Sequence, residues 1–95
     1  MAPEQTWLVR ADIETTLEER SKTHGDFSEQ SAMSQRLKEL LRDGDNWHKL
    51  SCEQKESLDM IQHKIARILS GNPNHIDSWH DISGYATLIV KKLGR

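Results

Sequence analysis

Between Ser51 and Gly71 the chain reads Ser-x-x-Gln, then apolar residues at 58, 61, 65, 68 and 69, then glycine. This run constrains the fold more than any other stretch. A Ser-x-x-Gln start lets side chain and backbone satisfy each other's free N–H groups at the first turn. The apolar positions then return every three to four residues, as one face of a helix requires, and glycine is a natural stop. The pattern predicts a helix from Ser51 to residue 70. After the tight break "GNPNH" (71–75) it resumes over about 76–93, with Trp79, Ile82, Ala86, Ile89 and Leu93 on the face expected to be buried. Helices joined by so short a break form an antiparallel hairpin.

The first half reads the same way. No stretch alternates apolar and polar residues like a half-buried strand, and the two prolines stand at 3 and 73. Pro3 can open a helix over about 4–22, with Val9, Ile13 and Leu17 four apart. "THGDF" (23–27) ends it, since Gly25 stops a helix and Asp26 can cap the next. A second helix over about 28–42 carries Met33, Leu37, Leu40 and Leu41. "RDGDNWHKL" (42–50) is a loop anchored by Trp47 and Leu50. The fold expected is all-α, a compact four-helix bundle forming one domain over residues 1–95.

Composition bears on assembly and surroundings. Apolar residues make up 35% of the chain, so a 95-residue bundle has a thin core. Trp7, Leu8 and the Met33–Leu41 stripe exceed what such a core takes in, which predicts a homo-oligomer. A net charge of −2 leaves no electrostatic footprint for a long nucleic acid. The lone Cys52 allows no internal disulfide, no apolar run is long enough for a membrane span, and the N-terminus has no signal-peptide core. A cytoplasmic protein is expected.

The polar residues raise the functional question. Glu56, Asp59, His63 and Arg67 lie away from the apolar stripe of the third helix. Asp77 and Asp81 lie one turn apart on the fourth, beside Gly84 with Tyr85 at the edge. A charged stripe of this kind also covers any solvated helix, and acids are favoured in a first turn by the helix dipole. Gly84 is harder to explain, because glycine costs up to about 1 kcal/mol in a helix interior; it points to close approach by another helix or a ligand. Lys64 and Arg67, one turn apart, suit phosphate, or else form ion pairs with Asp77 or Asp81. His24 and Asp26, on a glycine turn, either grip a base or phosphate or serve only as a cap. In a straight antiparallel hairpin the Glu56–Asp59 pair and the Asp77–Asp81 pair fall at opposite ends, so their convergence needs offset helices, a kink or a second subunit.

"ERSKTHGDF" (19–27) and "LDMIQHKIARILSGNPNHIDSWHDISGYATL" (58–88) resemble a small phage and prophage domain family of unassigned function, over roughly residues 11–93. That family is in turn similar to the MazG-type all-α nucleotide pyrophosphohydrolases, which hold Mg²⁺ on a nucleotide triphosphate with Glu-x-x-Glu and Glu-x-x-Asp pairs. The resemblance implies Glu56 and Asp59 as one metal-binding pair and Asp77 and Asp81 as the other, with Mg²⁺ as cofactor. It implies a nucleotide or nucleotide-derived ligand gripped by Arg20, His24, Asp26, His63, Lys64, Arg67 and Tyr85, in the host cytoplasm if the protein is phage-encoded. The departures are Asp at 59 and 77, a spacing of four in the second pair, and the positive Lys64. These favour a nucleotide pocket over efficient hydrolysis, because Mg²⁺ tolerates little departure from octahedral oxygen geometry. Three readings follow: a Mg²⁺-dependent nucleoside triphosphate pyrophosphohydrolase with no catalytic residue assigned, a non-catalytic binder that sequesters a nucleotide immune signal, or a helical protein-interaction module.

Overall fold

The computed structural model describes residues 3–94, with side chains from residue 12 onward. The side chains of Trp7, Leu8 and Val9 lie outside the described residues. Four α-helices run in sequence: α1 (Pro3–His24), α2 (Phe27–Arg42), α3 (Cys52–Ser70) and α4 (Ile76–Lys92). A single 3-10 turn, Trp47–Lys49, interrupts the α2–α3 connection. No strand occurs among the described residues, so the fold is the expected all-α bundle.

The helix ends follow from their residues. Asp26 caps α2 by accepting from the Glu29 N–H at 3.2 Å. Ser51 and Gln54 form the reciprocal capping box at α3, at 3.1 and 2.8 Å. Trp47 anchors its loop beneath two cations, with the Arg42 guanidinium 4.7 Å and the Lys55 ammonium 5.9 Å from its ring.

Helix α3 is the central element, packed along α2 on one side and α4 on the other. Glu53 pairs with Lys92 at 3.1 Å and Lys64 with Asp81 at 3.0 Å. Their residue numbers sum to the same value, which is the signature of one antiparallel register held over the hairpin. On the other side Arg42 forks onto Asp59 at 2.9 and 3.1 Å, and Ser34 donates to the Gln62 side chain at 3.2 Å.

The seam differs from the one expected. Its buried residues are Gln30, Ser34, Ser57, Gln62, Ala66 and Ser78, which are small or hydrogen-bonding. Small side chains let the helix backbones approach, and the large apolar ones are displaced outward. On α4 the inward face carries Ser78, Ile82, Tyr85 and Ile89 rather than the expected Trp79–Ile82–Ala86–Ile89–Leu93. Trp79 is 54% exposed because its indole N–H donates to the Pro73 carbonyl at 2.8 Å, which clips it over the preceding loop. Leu40 on α2 and Leu93 on α4 are likewise exposed.

Helix α1 joins the rest at its C-terminal end. Gly25 there has φ +83°, and a Cβ at this position would overlap the Ser70 carbonyl oxygen. A Cβ on Gly71 would overlap the Thr23 carbonyl and the His24 backbone. The two glycines therefore allow a backbone-to-backbone crossing, sealed by the Asn72 N–H donating to the Thr23 carbonyl at 2.7 Å.

Candidate functional site

The glycine crossing builds a site. It brings the last turn of α1 against the last turns of α3 and the break that follows. His24 then stands edge-on to His75, ring centres 5.7 Å apart. Beside them a cavity of about 510 Å³ is lined by Leu17, Arg20, His24, Asp26, Phe27, Gln30, His63 and Arg67, among others. Its volume is within the usual range for small-molecule sites.

The electrostatics of this cavity are those of a place short of negative charge. Burial first, then the charges of Arg67, Arg20 and Lys64 and the nearby His75, lower the His24 imidazole to about 4. Burial, then Arg67, Lys64 and Lys38, lower His63 as well. The Arg67 guanidinium is itself held below its ordinary value, by burial first and by Arg20 second, with Asp81 opposing. His24 Nδ1 and Arg67 Nε are both buried with no hydrogen-bond partner among the described residues. Unpaired polar atoms of this kind cost free energy unless a ligand or water meets them.

The ligand-binding residues expected from the sequence divide into two groups. Arg20, His24, Asp26, His63 and Arg67 meet in the cavity. Asp26 does double duty, since its carboxylate also caps α2. Lys64 stands just behind them, paired with Asp81, and contributes through its charge on His24 and His63. Tyr85 lies elsewhere: it lines a shallow depression with His80, Asp81, Gly84 and Leu88, and a second one with Glu53 and Glu56. A Cβ on Gly84 would meet nothing within 4 Å among the described residues.

The four carboxylates expected to hold Mg²⁺ do not come together within one chain. Asp59 faces α2 and is engaged by both guanidinium nitrogens of Arg42, which raises the Arg42 pKa. Asp81 is engaged by Lys64, and Asp77 lies 3.7 Å from the His75 imidazole. Glu56 lies toward the far end of the hairpin, beside Tyr85 and Ile89. The antiparallel register sets Asp81 level with Lys64, five residues or about 7.5 Å along α3 from Asp59. Among the described residues no three His, Cys, Asp or Glu are placed to share a metal ion. The donors therefore do not fit a single magnesium site in the isolated chain.

Residues 8–92 match the family described as a domain of unknown function, DUF6378. The chain belongs to this family. No curated protein and no solved structure matches it. The DUF6378 match spans both the His24–Phe27 turn and the α3–α4 hairpin, and so takes in the whole glycine crossing and the cavity. Sequence reasoning missed Leu17, Phe27 and Gln30 as lining residues, and His75 as the partner of His24. The signal for His75 was present in the pair of glycine breaks: two glycines that stop helices are also the residues that let two chain segments touch.

No helix among the described residues of this DUF6378 domain is long and apolar enough to cross a membrane.

Proposed function

We propose that the protein binds a nucleotide or nucleotide-derived phosphate in the α1–α2–α3 cavity, without requiring a metal. The observation that carries this reading is the pair of buried, unpartnered nitrogens, Arg67 Nε and His24 Nδ1, in groups whose proton affinity is depressed by burial first and by neighbouring positive charge second. A phosphate supplies the missing acceptors and the missing charge together. Arg20 and Arg67 offer forked donors suited to phosphate oxygens. The N-terminus of α2 opens at the same cavity, where the Asp26 carboxylate already caps it. Leu17 and Phe27 give the rim an apolar surface on which a base or other flat group can rest.

Sequestration is favoured over hydrolysis because the carboxylates that a metal-dependent reaction would draw on are committed elsewhere. Asp59 holds Arg42 and Asp81 holds Lys64. The test is a panel of nucleoside mono-, di- and triphosphates and cyclic dinucleotides, incubated with the protein with and without Mg²⁺ and resolved by chromatography. The reading expects intact ligand recovered from the protein after denaturation, with Mg²⁺ making no difference. Turnover that depends on Mg²⁺ would overturn the sequestration reading, and recovery of no phosphorylated compound would overturn the binding reading.

A further inference from the structure

The side chains of α1 from residue 12 to 22 are all exposed, including Ile13 at 53% and Leu17 at 60%. A helix exposed over this length gains little from its own hydrogen bonds, since isolated helices are marginal in water. Ile13 and Leu17 stand one turn apart and line a depression with Asp12, Thr16 and Arg20. Leu17 and Arg20 also line the binding cavity, and the exposed Phe27 continues the apolar ridge across its mouth.

The chain as a whole is too open for a monomer of its size. It presents 7329 Å² to solvent, whereas a folded monomer of 11.0 kDa presents about 5,600 Å². Its radius of gyration is 17.1 Å, against about 12 Å for a compact domain of this length. The surplus, about 1,700 Å² per chain, is what one subunit of an obligate dimer contributes to its interface. Ala66 is the one apolar residue fully out of water among the described residues.

We infer that a second copy of this chain covers this surplus surface, through α1 packed antiparallel on α1 about a two-fold axis near Leu17. A copy is always present in equal amount, and a two-fold axis lets one ridge cover itself. The charges along α1 agree. Antiparallel pairing about Leu17 sets Asp12 opposite Lys22 and Glu14 opposite Arg20, while Glu18 and Glu19 fall opposite Thr16 and Thr15. The same packing lays the second α1 across the cavity mouth and shields the ligand; this last part rests on the anion-binding reading.

The test is the mass of the full chain in solution at micromolar concentration, by light scattering, without ligand. Twice 11.0 kDa or a higher even multiple is expected, and Leu17→Glu should halve it or break it to single chains. A third measurement guards against misfolding: Leu17, 60% exposed, replaced as Leu17→Cys in a Cys52→Ser background should give a covalent dimer on mild oxidation, as a residue on the axis must. A single-chain mass for the parent overturns the inference. So does a dimer that neither Leu17→Glu weakens nor Leu17→Cys locks. None of these readouts involves a nucleotide, so failure of the anion-binding reading would show separately, as a dimer that binds no phosphate.

Discussion

Replacing Gly25 by alanine probes the crossing on which the candidate site is built. The backbone at Gly25 has φ +83°, a region that disfavours L residues by about 1–2 kcal/mol. The added methyl also overlaps the Ser70 carbonyl oxygen, a backbone atom that moves only if the ends of α1 and α3 separate. Overpacking of this kind costs typically about 1–3 kcal/mol. Together the two effects give about 2–5 kcal/mol. For a domain of this size each kcal/mol lowers the melting temperature by about 4–8 °C, so a fall of at least about 8 °C is expected. The assay is thermal unfolding followed by circular dichroism at a fixed protein concentration. Gly84→Ala is the matched control, because a Cβ there meets nothing within 4 Å of a helical position; it should be neutral or stabilising by up to about 1 kcal/mol. A Gly25→Ala protein melting within about 3 °C of the parent would refute the crossing.

Further outcomes follow from the charges. Arg67→Met should lower affinity for pyrophosphate about tenfold to a hundredfold by calorimetry, the loss of about 1.5–3 kcal/mol from a charged hydrogen bond. It should leave stability unchanged or raised, because it removes a desolvated cation whose Nε has no partner. Asp77→Asn should change stability by no more than about 0.5 kcal/mol and leave ligand affinity alone, since its carboxylate is on the surface. Stability should fall with acidification. The unfolded chain takes up a proton on His24 near pH 6.5, whereas the folded chain does so only near 4. The contribution of His24 is thus complete above about pH 6.5 and lost as pH drops toward 4, with His63 acting in the same direction. Chemical denaturation at pH 7.5 and pH 5 checks the sign.

The helices were legible because their signals are local. Ser51 and Gln54 cap α3 by contacts three residues apart, and Asp26 caps α2 the same way. The faces were less legible. Apolar periodicity places Trp79 and Leu93 inward on α4, but Ser78 lets the backbones close and Trp79 turns out to bond Pro73. Choosing between small and large residues for a seam depends on how near the neighbouring helix comes, which no local pattern records. Arg20, His24, Asp26, His63 and Arg67, singled out in the sequence, line one cavity because the two glycines let their segments touch. Spacing along the chain does not record that Arg42 and Lys64 pair with Asp59 and Asp81 within one chain.

The central claim is that a phosphate sits among His24, His63 and Arg67. The most direct measurement follows the His24 imidazole by nuclear magnetic resonance across a pH titration, with and without saturating pyrophosphate. Free protein should titrate at this residue near 4. A dianionic neighbour favours the imidazolium, so the bound protein should titrate at or above the ordinary value of about 6.5. A His24 titration that pyrophosphate leaves in place would contradict the account.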